Sequence, residues 1–375
     1  MKLISVQENL KKGLLTVSHG TGKNINLPIL NNILIKAYNN SIELISTNLE
    51  IGIIYKLRGK VEREGEFTVD SKIITEYVNL LPSENVEIEE IGGELKVECG
   101  TYKTKIKGEA SKEFPLIPSV SQENCYSCSI VEFRKALNSV SFAVSNSENR
   151  IELSGVLFNF EDEKLTLVAT DSYRLAEKTI NTKTENSFIN QKLIVPSRTV
   201  QELLRILNNY NNEDGDFEQK SDVKIAVSDN QILFLVDSVE LVSRLINGQY
   251  PDYQQIIPDK SKTEVVVSKA NLLRAVKAVA IFSKTGINDV NLEFKDNKII
   301  ISASSGQSGE SRADIEADIS GIDNEIAINF RYLVDGLNNI NADKVRLKIV
   351  STNTPCILVA EPQDEYLYVV MPIRQ

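Results

Sequence analysis

Apolar residues recur at three- and four-residue spacing in six short stretches of the chain, and alternate with polar residues through most of the rest. The first spacing lines one face of a helix and the second lines one face of a strand. Helices are therefore predicted over 7–18, 71–81, 131–144, 197–207, 269–282 and 330–340. The intervening strands are punctuated by turn signals, Gly92-Gly93, Asp229-Asn230 and Asp296-Asn297. Few helices among many strands imply an α+β fold.

The same pattern occurs three times. A strand ending in small hydroxyl residues appears as ELISTN (Glu43 to Asn48), TLVATD (Thr166 to Asp171) and IIISAS (Ile299 to Ser304). A strand that runs into an amphipathic helix follows each, starting at Phe67, Leu193 and Ile326, and alternating strands close each copy from Val86, Val223 and Val345. The copies lie roughly 130 residues apart, far beyond the period of a solenoid, so each is a domain. Each opens with its own helix, giving two helices packed on one side of antiparallel sheet. The first two copies end alike, in FPLIP (Phe114 to Pro118) and YPDYQQIIP (Tyr250 to Pro258). The boundaries expected are 1–122, 123–260 and 261–375.

Composition narrows the function. The chain has 375 residues, 42% hydrophobic, with no tryptophan, so its cores rest on Ile, Leu and Val. No run approaches the roughly 20 apolar residues of a membrane span, and the first residues lack a cleavable apolar segment. A cytoplasmic protein with no membrane partner is expected. Cys125 and Cys128 form a lone CxxC, but three residues apart on a strand they point to opposite faces, a poor geometry for metal or disulfide. The one histidine, His19, has no catalytic setting. The stretch SHGTGKN (Ser18 to Asn24) lacks the first glycine and the final hydroxyl of a phosphate loop. No catalytic residue, metal or cofactor is expected.

The net charge of −10 argues against a nucleic-acid partner until its distribution is considered. The six helical stretches hold eleven lysines and arginines against five carboxylates, which leaves the helices at about +6 and the remainder at about −16. Scattered cations without interleaved aromatics suit weak, sequence-independent contact with duplex phosphates rather than stacking on single strands.

Several motifs, in order along the chain, resemble one family. They are LPILNNILI (Leu27 to Ile35), ISTNLEIGI (Ile45 to Ile53), FPLIP, GVLF (Gly155 to Phe158), ATDSYRLA (Ala169 to Ala176), VPSRTVQEL (Val195 to Leu203), YPDYQQIIP and YVVMPIR (Tyr368 to Arg374). Together they resemble the bacterial sliding clamps, the beta subunits of DNA polymerase III. The resemblance implies a ring-forming DNA clamp fold of three repeated clamp domains. It implies a head-to-tail homodimer that encircles double-stranded DNA without sequence specificity and confers processivity without catalysis. It also implies that the DNA polymerase III alpha subunit, the clamp loader, other DNA polymerases and repair proteins dock by short peptide motifs.

Carried over motif by motif, the peptide pocket comprises Leu153, Thr170, Ser172, Tyr173, Arg174, Leu175, Pro258, Val369, Met371, Pro372, Ile373 and Arg374. Arg174 and Arg374 are expected at its rim, ready to pair with peptide groups. The residues expected to face DNA are Lys12, Lys23, Lys72, Arg150, Arg198, Arg205 and Lys277. The ring contact is expected to join Ile281 and Phe282 to a partner strand near Tyr102 and Ile106. Ser172-Tyr173 stands where the family more often has Gly-His, and Ile373 where Met or Leu is common. The stretch 208–222 is polar and acidic and is expected to be a surface loop. The competing reading is a DNA-independent scaffold that collects peptides in the same pocket. An enzyme built on Asp171 and Arg174 is disfavoured by the lack of supporting groups.

Overall fold

The computed structural model describes residues 1–22, 25–122, 125–147, 149–161, 163–184, 190–209, 222–306 and 308–373. The expected surface loop at 208–222 lies almost wholly outside them. Six α-helices occur among the described residues: α1 (Gln7–Ser18), α2 (Ser71–Asn79), α3 (Ile130–Ser141), α4 (Ser197–Asn208), α5 (Lys269–Ala280) and α6 (Phe330–Asn339). Everything else regular is antiparallel strand or short 3-10 turn. None of the helices is long and apolar enough to cross a membrane.

Side-chain caps fix where several helices start. Asp70 accepts from the Ile73 N–H at 2.9 Å before α2, and Asn329 accepts from the Arg331 N–H at 2.9 Å before α6, each satisfying an orphan donor of the first turn. The ends differ slightly from the expectation. α2, α3 and α5 each stop two or three residues early, because their final turns tighten: Leu80, Ala143 and Phe282 donate to carbonyls three residues back.

The chain divides into two compact units. One comprises Met1–Val131, Lys183–Ser187 and Gln201–Leu245. It holds a fourteen-stranded sheet running from Lys183–Thr184 at one edge to Lys60–Arg63 at the other. Within it, Val239–Arg244 pairs with Ile51–Leu57, so strands of the second repeat continue the sheet of the first. α1 buries Leu10, Leu14 and Val17 on this sheet. The Leu44 and Tyr55 side chains lie where a Cβ on Gly13 would go, so only glycine allows α1 to come so close.

The other unit comprises Glu132–Thr182, Phe188–Val200 and Ile246–Gln375. A nine-stranded sheet runs from Gln191–Pro196 to Asp318–Gly321, and a four-stranded sheet lies between Gly309–Glu316 and Asn324–Asn329. At the centre of the larger sheet, Tyr366–Val370 pairs with Arg174–Asn181 on one side and Cys356–Glu361 on the other. α6 buries Leu333, Gly336 and Leu337, with Tyr368 beneath Gly336. The fold is α+β throughout, as the periodicities imply.

Candidate functional site

The turn between strands Lys164–Thr170 and Arg174–Asn181 is built by its own side chains. The Thr170 hydroxyl donates to the Arg174 carbonyl at 2.6 Å and accepts from the Ser172 N–H at 3.1 Å. Asp171 Oδ1 accepts from the N–H groups of Tyr173 and Arg174 at 2.9 and 3.0 Å, an Asx turn. This winding places Ser172 at φ +77°, in the left-handed region that costs a side chain free energy. Both Ser172 and Tyr173 are pushed out into solvent.

Arg174 is anchored beneath them. Its Nε donates to Asp171 Oδ2 at 3.0 Å, Nη1 donates to Asp335 on α6, and Nη2 donates to the Phe142 carbonyl at 3.0 Å. The guanidinium lies 4.7 Å from the Tyr332 ring centroid and 5.4 Å from that of Phe142, a double cation–π contact. Burial opposes its charge, but the surrounding oxygens of Tyr368, Asp335 and Asp171 outweigh that and hold its pKa above the ordinary arginine value. Arg174 is thus already paired within the chain, which corrects its expected place as a free cation at the rim. Tyr173, 63% exposed, stacks on Tyr332 with centroids 6.4 Å apart and planes at 19°.

The apolar floor comes from the sheet. Leu175 pairs with Val369 across the strands, and both join Leu157, Val168, Tyr253, Ile357 and Val359 in one buried cluster. Leu153 and Thr170 are also buried. Beyond the last strand, Met371 donates to the Tyr173 carbonyl at 2.9 Å and Ile373 to the Ala327 carbonyl at 2.8 Å. These two bonds hold Met371, Pro372 and Ile373 half-buried alongside the turn. Arg374 lies outside the described residues. Pro258 borders a separate cavity of ≈ 470 Å³ whose apolar lining includes Ile357, Val359 and Leu367 on the same sheet.

Tyr173 and Ser172 thus stand exposed above a buried apolar cluster, with Met371, Pro372 and Ile373 half-buried beside them, and no group of metal-binding side chains occurs among the described residues.

Three family models match the chain in order: the N-terminal domain of the DNA polymerase III beta subunit over residues 1–118, the central domain over 129–252 and the C-terminal domain over 254–374. The chain belongs to the DNA polymerase III beta subunit family. A beta sliding clamp of Synechococcus elongatus is 29% identical over 385 aligned residues, covering 100% of this chain and 99% of the relative. One from Staphylococcus aureus is 27% identical, covering 93% and 92%. Among solved structures, a putative DNA polymerase III beta subunit from Eubacterium rectale superposes with a TM-score of 0.91 at 28% identity. The beta subunit from Pseudomonas aeruginosa superposes with 0.93 at 25%, and both cover the whole of each chain. The family is the non-catalytic sliding-clamp processivity factor.

The remaining sliding-clamp candidates are placed as follows. Lys12, Lys72, Arg198 and Lys277 are exposed on their helices. Arg205 is not available in the same way: its Nε donates to Glu202 at 2.8 Å and its Nη2 donates to the Thr16 carbonyl at 2.8 Å, tying α4 to the end of α1. Arg150 bonds Glu152 at 3.0 Å and the Ser172 hydroxyl at 2.9 Å, so it belongs beside the pocket turn. Lys23 lies outside the described residues. Tyr102 and Ile281 are 51% and 73% exposed, and Phe282 is half-buried. Ile106 is only 5% exposed, which corrects its expected place at the ring contact. On a strand that presents Lys103, Lys105 and Lys107 to solvent, the alternation turns Ile106 into the core beside Leu95.

Phe142, Tyr332 and Asp335, which hold Arg174, were not among the residues singled out from the sequence. Each comes from a helix or helix end remote in sequence from the turn it supports. Asp335 is the one carboxylate on α6, which also carries Arg331, Asn338 and Asn339, so its role does not stand out from the sequence.

Proposed function

We propose that two copies of the chain close head to tail into a ring around duplex DNA. In this reading the pocket beside Tyr173 takes short peptide segments of the DNA polymerase III alpha subunit, the clamp loader, other DNA polymerases and repair proteins. The observation that carries it is the ordered match of three clamp-domain models along one chain. The domains then run 1–122, 123–260 and 261–375, and the protein works in the cytoplasm.

Two open strand edges support the closure. Tyr102–Glu109 pairs along its length with Glu94–Cys99, but on its other side only Gly108 and Glu109 have strand partners among the described residues. Gly309–Glu316 is likewise an outermost strand. Unpaired edges are templates for further pairing. The first strand exposes Lys103, Lys105, Lys107 and Glu109, with Lys103 and Lys105 paired to Glu98 and Glu94, and the second exposes Glu310, Arg312, Asp314 and Glu316, with Arg312 paired to Asp314, so the first is net basic and the second net acidic. A heterologous contact of this complementary kind, repeated twice, closes a dimer. Tyr102, Ile281 and Phe282 would be covered with it.

Lys12, Lys72, Arg198 and Lys277 then meet phosphates one at a time, each contact weak and indifferent to sequence. Closure makes the association long-lived while leaving it free to slide, and the acidic remainder disfavours DNA on other surfaces. A partner held in the pocket is kept at high local concentration over its template.

The test loads the protein with an active matching clamp loader onto nicked circular DNA, linearises the circles and follows retention by gel filtration. Retention on circles with release from linear ends is the expected result. Equal retention on both forms, or none on either, removes the ring and leaves a DNA-independent peptide scaffold.

A further inference from the structure

The turn that shapes the pocket occurs a second time, in the unit that contains the first repeat. Thr47 Oγ1 donates to the Ile51 carbonyl at 2.9 Å and accepts from the Leu49 N–H at 3.0 Å, as Thr170 does with Arg174 and Ser172. Asn48 Oδ1 accepts from the N–H groups of Glu50 and Ile51 at 3.0 and 2.8 Å, as Asp171 does with Tyr173 and Arg174 one repeat later. Leu49 has φ +78° where Ser172 has +77°. Arg244 donates its N–H to the Glu50 carbonyl at 3.0 Å, as Met371 does to Tyr173 at 2.9 Å. Val242 pairs with Gly52 as Val369 pairs with Leu175.

This second turn also borders an opening. Leu49, Leu116, Ile117 and Val242 line a cavity of ≈ 90 Å³, room for about one apolar side chain. Leu116 is 89% exposed, and Leu49 is 41% exposed and held at φ +78°, a left-handed conformation that costs a leucine free energy. The chemistry of the rim differs from that of the first pocket. Arg244 takes the place of Met371, exposed and with no ion-pair partner among the described residues, and Glu50 takes the place of Tyr173.

We infer that this cleft is a second docking site, for an extended peptide segment that carries an apolar side chain next to a carboxylate. The apolar side chain enters between Leu49 and Leu116, and the carboxylate meets the Arg244 guanidinium, whose planar fork suits it. Glu50 excludes a second acid on the other flank. The class of occupant rests on the peptide-pocket reading of the first site, while the charge preference rests on Arg244 alone.

The test uses the full chain and two photoreactive probes, acetyl-Asp-photoleucine-Phe-amide and acetyl-Lys-photoleucine-Phe-amide, with adducts mapped by mass spectrometry. The Asp probe is expected to label 47–52, 115–118 and 239–245 about fivefold more than the Lys probe, the most that one exposed charge pair provides. Arg244→Glu, at an exposed position whose recorded bond is main-chain, reverses that preference and leaves labelling at 170–175 unchanged. Labelling confined to 170–175 and 371–373 overturns the second site and leaves the first. Labelling confined to the second cleft does the opposite, and labelling at neither removes both. Equal labelling by the two probes, or labelling unmoved by Arg244→Glu, makes the cleft an unselective apolar patch and also overturns the proposal.

Discussion

A guanidinium as enclosed as that of Arg174 has to be met on every side. Two carboxylates, a carbonyl and two rings meet it. Arg174→Lys keeps the charge but loses the fork and the stacking plane. With Asp335 partly open to solvent, the loss is about 2 kcal/mol, read as a melting temperature lowered by several degrees. Melting like the parent would show that the charge alone suffices. His19, at the end of α1, is a second residue with a definite sign. Burial, then the nearby Arg205 guanidinium, lowers its pKa below the ordinary histidine value. A lowered folded-state pKa contributes stability that is present above the unfolded value, near 6.5, and lost as pH falls through the folded one. His19→Gln should therefore flatten the decline in melting temperature between about pH 7 and pH 5; an unchanged slope would assign that decline to other groups.

At the scale of the elements, α6 and the strand beneath it are fitted to each other at one point. A Cβ on Gly336 would lie 2.2 Å from both Cδ1 and Cε1 of Tyr368, which is fully buried and donates its hydroxyl to the Tyr332 carbonyl at 2.9 Å. Gly336→Ala gains about 1 kcal/mol of helix propensity but overpacks the site by about 3 kcal/mol, so the clash decides and the variant melts lower. Combining it with Tyr368→Leu should cost less than the sum of the two, and additivity would mean that the contact is not the cause. This contact also marks what the sequence could convey. Helices and repeats were legible because period and spacing are local properties of the chain, whereas the stretch at 170–174 was singled out only through the family resemblance of ATDSYRLA. Arg174's partners were not, since Phe142 and Asp335 reach it across the fold and no spacing encodes that. Ile106 was legible in principle: it sits opposite three lysines on an alternating strand, and the alternation outranks its apolar character. Arg150 and Arg205 looked like free cations because a sequence shows charges without their partners.

For the molecule as a whole, the open edges at Tyr102–Glu109 and Gly309–Glu316 make association the central question. Ile281 is 73% exposed just past α5, where an acid disturbs no packing within the chain. Ile281→Asp should sediment as a monomer with an unchanged melting profile at high dilution; a persisting dimer would place the contact elsewhere. A different consequence follows from the strand Tyr366–Val370, which joins the two parts of the nine-stranded sheet. On the ribosome it is made after every other strand of that sheet. Arg174–Asn181 and Cys356–Glu361 therefore emerge with their facing edges unsatisfied, and the sheet is completed by an insertion at its middle rather than by growth at its rim. Synthesis halted before residue 366 leaves most of the chain made and both edges bare, a product suited to chaperones and proteases. The sheet is thus whole only once its last-made strand has found the gap between two earlier ones.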